Sequence, residues 1–167
     1  ASSEYVIGTR KNIQNDIPII GTYNVNKSGS GDMYYKGANM LHTIRQLVNN
    51  DEKWREILRG LNKEFYHTTV TTQEIENYIT AQSGIDLTPV FNQYLRTVKI
   101  PIFEYEIESG VLRYRWINVV KSFNMPLKIS ADNKIQMLKP TEDWQTKTIN
   151  SSTIEIDNNF FVNFKKF

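Results

Sequence analysis

Lys99-Ile100-Pro101-Ile102-Phe103-Glu104-Tyr105-Glu106-Ile107 is the stretch on which the fold turns. Before it, apolar residues recur at helical spacing; from Ile102 onward they alternate in twos. Proline at 101 removes a backbone donor and disfavours helix in the residue before it, so the change of period falls at a natural stop.

Four helices are expected upstream. Gly37, Leu41, Ile44 and Val48 share a face of the first, widened by Met40 and Leu47, with Asp32 or its neighbour as the cap. Asn49-Asn50-Asp51 closes that helix and opens the next, which carries Trp54, Ile57, Leu58, Leu61 and Phe65 on one stripe. Thr71 followed by Glu74 is a capping box for the third, which stops near Ser83-Gly84. The fourth is expected to be capped by Asp86, with Pro89 tolerated in its first turn. The short loops between them predict antiparallel neighbours.

Downstream, Ser109-Gly110 is a hairpin signal between residues 102–107 and Val111–Ile117. Further short strands are expected at 126–131, 135–139, 143–149, 153–157 and 160–165, with Asp132-Asn133 and Pro140 among the breaks. Helices followed by a run of strands predict an α+β chain: a helical subdomain, then a small β-sandwich with its own core. The expected division is a loop-rich lead-in at 1–33, a helical part at 34–99 and the sandwich at 100–167.

Composition limits the function. The chain has 167 residues, 40% of them hydrophobic, which is enough for a real core. Twenty basic and 18 acidic side chains leave a net charge of +2, with no basic run beyond Lys165-Lys166, so no nucleic-acid partner is expected. There is no cysteine, which excludes disulfides and thiolate metal sites but leaves the compartment open. No transmembrane segment is expected either, since nothing approaches about 18 consecutive apolar residues.

Few residues suggest chemistry. His42 and His67 are the only histidines, and neither sits in a His-Glu-x-x-His pattern. Metal ligands are therefore not expected in this chain. Glu52, Glu56, Glu64, Glu74 and Glu76 read as solvated helix faces, and Glu104, Glu106 and Glu108 as the wet side of a sheet. Read alone, Asp32-Met33-Tyr34-Tyr35-Lys36-Gly37-Ala38 is a loop-to-helix junction with two exposed tyrosines.

That segment nevertheless resembles the Tyr-x-Lys-Gly-Ala motif of the aminopeptidase N-type zinc metallopeptidases, the gluzincins, with Leu41-x-x-Ile44-Arg45 continuing it. Val70-Thr71-Thr72-Gln73-Glu74, Ser83-Gly84-Ile85-Asp86-Leu87 and Phe91-x-x-Tyr94-Leu95 are similar to later helix starts and faces of the family. The family often has tryptophan where Tyr94 stands. The match is specific over 32–101, plausible at 1–31, and rests beyond 101 on the order of strands.

The resemblance implies a parent enzyme that hydrolyses N-terminal residues from peptide substrates with a zinc cofactor. It assigns oxyanion stabilisation to Tyr34, two residues before Lys36, and leaves Tyr35 at the variable position. It also makes residues 1–33 a lead-in from the catalytic domain and 34–99 that domain's helical end. The His-Glu-x-x-His helix and the Gly-x-Met-Glu-Asn segment of the family are absent here. A C-terminal fragment is therefore expected: inactive alone, with no cofactor of its own, and partnered by the missing N-terminal part of the same chain. The other reading is a non-enzymatic helical and β-sandwich module that binds a protein or peptide.

Overall fold

A computed structural model describes residues 2–24 and 26–167. Ala1 and Val25, both in the lead-in expected at 1–33, lie outside the described residues. Helices come first and strands follow, giving the expected α+β order.

The lead-in holds more structure than its weak periodicity suggests. Helix α1 spans Ser2–Gly8 and a 3-10 turn spans Thr9–Asn12. So short a helix is marginal in water on its own. Tertiary bonds hold this one: Asn39 donates its side-chain amide to the Val6 carbonyl (3.2 Å) and the Thr9 hydroxyl (3.1 Å).

The four expected helices are α2 (Asp32–Val48), α3 (Asp51–Glu64), α4 (Thr72–Ser83) and α5 (Thr88–Arg96). Their boundaries follow local chemistry. Asn49 ends α2 in the left-handed region at φ 49°, and the Asn50 side chain accepts from the Lys53 N–H at 3.0 Å to open α3. The capping box at Thr71 and Glu74 is complete. Gly84 ends α4 at φ 74°, a conformation that favours glycine.

Two expected caps differ. The N-cap residue of α2 is Gly31, which has no side chain to cap with; the Ser30 hydroxyl accepts the Asp32 N–H, and the Asp32 carboxylate turns to the lead-in. At α5 the cap position is Leu87, which is fully buried, while Asp86 accepts the Thr88 N–H at 3.0 Å in a local turn.

Because Thr71 is exposed, its substitution tests capping with little change in packing. Thr71→Ala is expected to cost about 1 kcal/mol of stability through the lost N-cap bond. Urea unfolding of the wild type and variant measures it; an unchanged midpoint would show that α4 is held by packing alone.

The strands form two sheets. One has the order β5-β2-β1-β7, the other β4-β3-β6. Here β1 is Ile102–Glu108, β2 Val111–Ile117, β3 Leu127–Ala131 and β4 Lys134–Leu138. The remaining strands are β5 (Gln145–Thr148), β6 (Glu155–Ile156) and β7 (Asn163–Lys166). Both hairpin turns have left-handed central residues: Ser109 and Gly110 (φ 48° and 78°), and Asp132 and Asn133 (φ 54° and 57°). The alternation in β2 buries Leu112, Tyr114 and Trp116, and that in β3 buries Leu127, Ile129 and Ala131.

The helical and β-rich regions meet at a buried joint. Buried residues from helices and strands form one continuous cluster, from Ile44 and Trp54 through Tyr94 to Phe103 and Trp116. The joint is specific. Tyr94 stacks on Phe161 at 5.8 Å and donates its hydroxyl to the Phe161 carbonyl at 2.5 Å. Burial of the Tyr94 phenol pushes its pKa far up. Thr43 accepts the Phe161 N–H, and Gln93 binds the Lys99 and Asn118 carbonyls and the Val120 N–H. Polar side chains on the helices thus satisfy backbone groups of the loops that enter and leave the sheets.

Candidate functional site

The N-terminus of α2 carries the segment singled out by sequence. Helical geometry places residues four apart on one face and a residue two away on the opposite side. Asp32 and Lys36 are such a pair and both are buried, at 2% and 0% exposure. Tyr34 lies between them and points out, 69% exposed. Tyr35 is 41% exposed, beside α1 in a shallow hollow with Tyr5, Thr9 and Asn12.

The anchors are built from the lead-in and the end of α5. The Asp32 carboxylate accepts the Gln14 and Asn15 N–H groups at 2.9 and 2.5 Å, and its own N–H is accepted by the Ser30 hydroxyl. The Lys36 ammonium donates to Asn15 Oδ1 at 2.7 Å and to the Thr97 carbonyl at 2.8 Å. Burial pushes the Lys36 pKa down, and the nearby Asp32 carboxylate opposes that shift. A buried cation with two good acceptors is the arrangement that keeps such a group tolerable.

The buried face of α2 continues in polar residues. Asn39 accepts from Arg10 Nε at 2.8 Å, Thr43 donates to the Asn39 carbonyl, and His42 meets Asn159 Oδ1 at 2.9 Å. Leu41, expected inside, is 36% exposed. The rest of the stripe holds, with Met40 and Ile44 buried and Leu47 and Val48 packed on the core; the buried face is wider than expected because α1 and the 158–161 loop cover Asn39, His42 and Thr43. His42 is a structural residue here, and His67 lies against Tyr66 at 4.1 Å.

Two carboxylates read as solvated are buried. Glu76 pairs with Arg96 at 2.8 Å, and Glu104 with Arg115 at 2.7 Å and Lys165 at 3.5 Å. Nothing in their local spacing marks them; the arginine partners lie 20 and 11 residues away. Neither pair lies in the Tyr34 anchor network.

Among the described residues no group of three or more His, Cys, Asp or Glu side chains could hold a metal ion. No helix among them is long and apolar enough to cross a membrane.

No family model matches the chain, and no curated protein matches it. A crystal structure of Legionella pneumophila aminopeptidase A in complex with aspartic acid superposes with a TM-score of 0.66. The match covers 96% of this chain at 14% identity. The fold is aminopeptidase-like. The chain spans only 21% of that neighbour's length, so it is similar to one part of a much longer protein.

Proposed function

We propose that the chain is the C-terminal part of a zinc-dependent aminopeptidase of the aminopeptidase N type, in which Tyr34 donates a hydrogen bond to the oxyanion formed at the first peptide carbonyl. The observation that carries this reading is the disposition of Tyr34-Tyr35-Lys36-Gly37-Ala38. Lys36 is locked inward and Tyr34 faces out on a rigid first turn, in a fold shared with an aminopeptidase.

A phenol suits the role. Its O–H is a neutral donor at neutral pH, and a donor aimed at developing charge stabilises the transition state more than the ground state. Tyr34 has its backbone fixed by α2 and its ring in solvent, so the hydroxyl is free to face a substrate brought by the rest of the parent. The metal and the residues that hold it would come from that other part. The parent would act on peptide N-termini, and the β-rich region would fold as a sandwich behind the helices.

The isolated chain is expected neither to retain zinc through dialysis nor to cleave aminoacyl substrates, for want of a ligand set. Metal analysis after dialysis checks the first point and an aminoacyl anilide assay the second. Stoichiometric zinc, or turnover by this chain alone, would sink the fragment reading.

A further inference from the structure

Asn15 holds more of the Tyr34 environment together than any residue of the motif itself. Its N–H is given to Asp32 Oδ2, its Oδ1 accepts from the Lys36 ammonium at 2.7 Å, and its side-chain amide donates to the Val98 carbonyl. One half-buried loop residue thus bonds both inward anchors of the first turn of α2 and also the segment leaving α5. It does so from the left-handed region, at φ 53°. Asparagine is among the few residues besides glycine that adopt it readily.

The consequence for Tyr34 is geometric. Asp32 and Lys36 bracket Tyr34 at two residues on either side, and both are tied to Asn15. A shift of Asn15 therefore moves the turn that carries the phenol. The tie to Val98 fixes Asn15 in turn against α5, which is locked into the core through Tyr94 and Leu95. Ile20 N–H to the Leu95 carbonyl, at 2.8 Å, makes a second link between lead-in and α5.

We infer that Asn15 is a positioning residue for Tyr34, acting through Asp32 and Lys36 to set where the phenol hydroxyl meets the substrate. This rests on the aminopeptidase reading given above. A side chain that touches no substrate can still govern rate, because a displacement of about 1 Å in a reacting group can cost on the order of a hundredfold.

The test is a double-mutant cycle in the full-length parent, read as kcat and KM on an aminoacyl anilide. Asn15→Gly keeps the left-handed backbone and the N–H to Asp32, and removes both side-chain links. We expect kcat to fall about tenfold or more, with KM within about twofold. In a Tyr34→Phe background, Asn15→Gly should cost almost nothing further, since a hydroxyl that is absent cannot be misplaced. An equal fall in both backgrounds would show that Asn15 acts on the structure at large and overturns the inference. Unchanged kcat in Asn15→Gly overturns it too. If circular dichroism shows Asn15→Gly to be unfolded, Lys36→Met replaces it in the same cycle, cutting the link from its other end while filling the space. Should Tyr34→Phe keep full activity, the role of Tyr34 falls and the Asn15 inference with it. Should Tyr34→Phe be crippled and the cycle additive, only the Asn15 inference falls.

Discussion

Tyr34→Phe in the full-length parent is expected to lower kcat by roughly 10²–10³, the typical cost of losing one oxyanion donor. The substitution removes a single hydroxyl from a side chain that is 69% exposed, so folding should hardly change. The loss should fall on kcat more than on KM, because charge on the oxygen develops fully only in the transition state. Tyr35→Phe is the internal control. Tyr35 faces the α1 hollow with Tyr5 and Thr9, and its phenol plays no part in the proposed chemistry, so that variant should stay near wild-type. Steady-state kinetics of both on an aminoacyl anilide give the answer. A crippled Tyr35→Phe would mean that the register of the motif is off by one. Two active variants would mean that the resemblance has misassigned the role.

The second large effect concerns stability. Trp116→Ala should destabilise the chain by about 3–5 kcal/mol, the usual cost of emptying a large aromatic site in a core. Trp116 is 1% exposed and packs edge-to-face against both Phe103 and Phe123, each at 5.6 Å. Its indole N–H is given to the Met125 carbonyl at 3.0 Å, and alanine would leave that buried oxygen without its donor. Whole domains are typically stable by only about 5–15 kcal/mol, so the loss is a large share of the total. Trp116→Phe keeps most of the ring packing and should cost distinctly less. Urea unfolding followed by far-ultraviolet circular dichroism measures both, since the substitution also removes a fluorophore. A loss below about 1 kcal/mol for Trp116→Ala would mean that the site collapses and that Trp116 is not a keystone of the core.

Those two residues differ in how they could be known beforehand. Tyr34 is marked only by a motif, because an exposed tyrosine at a helix start carries no signal of chemistry. Trp116 lies in a strand whose alternation already points it inward. Glu104 lies in an alternating strand too, but alternation misled there: the outer face of β1 is covered by Arg115 and Lys165, which come from neighbouring strands. Asn15 was legible only as a turn residue. Its partners Asp32, Lys36 and Val98 stand 17, 21 and 83 residues away.

The sequence by itself determined what depends on neighbours along the chain. The switch of period at Pro101, the capping box at Thr71 and Glu74, the left-handed stops at Asn49 and Gly84, and the turns at Ser109-Gly110 and Asp132-Asn133 are all set within a few residues, by backbone sterics and local hydrogen bonds. Only the tertiary structure decided that α1 is a helix, that the buried face of α2 extends to Asn39 and Thr43, that Lys36 and Glu76 are buried, and how the helices join the sheets. Those outcomes turn on groups brought together from distant parts of the chain, where a buried ammonium or carboxylate is tolerable only if partners arrive to satisfy it.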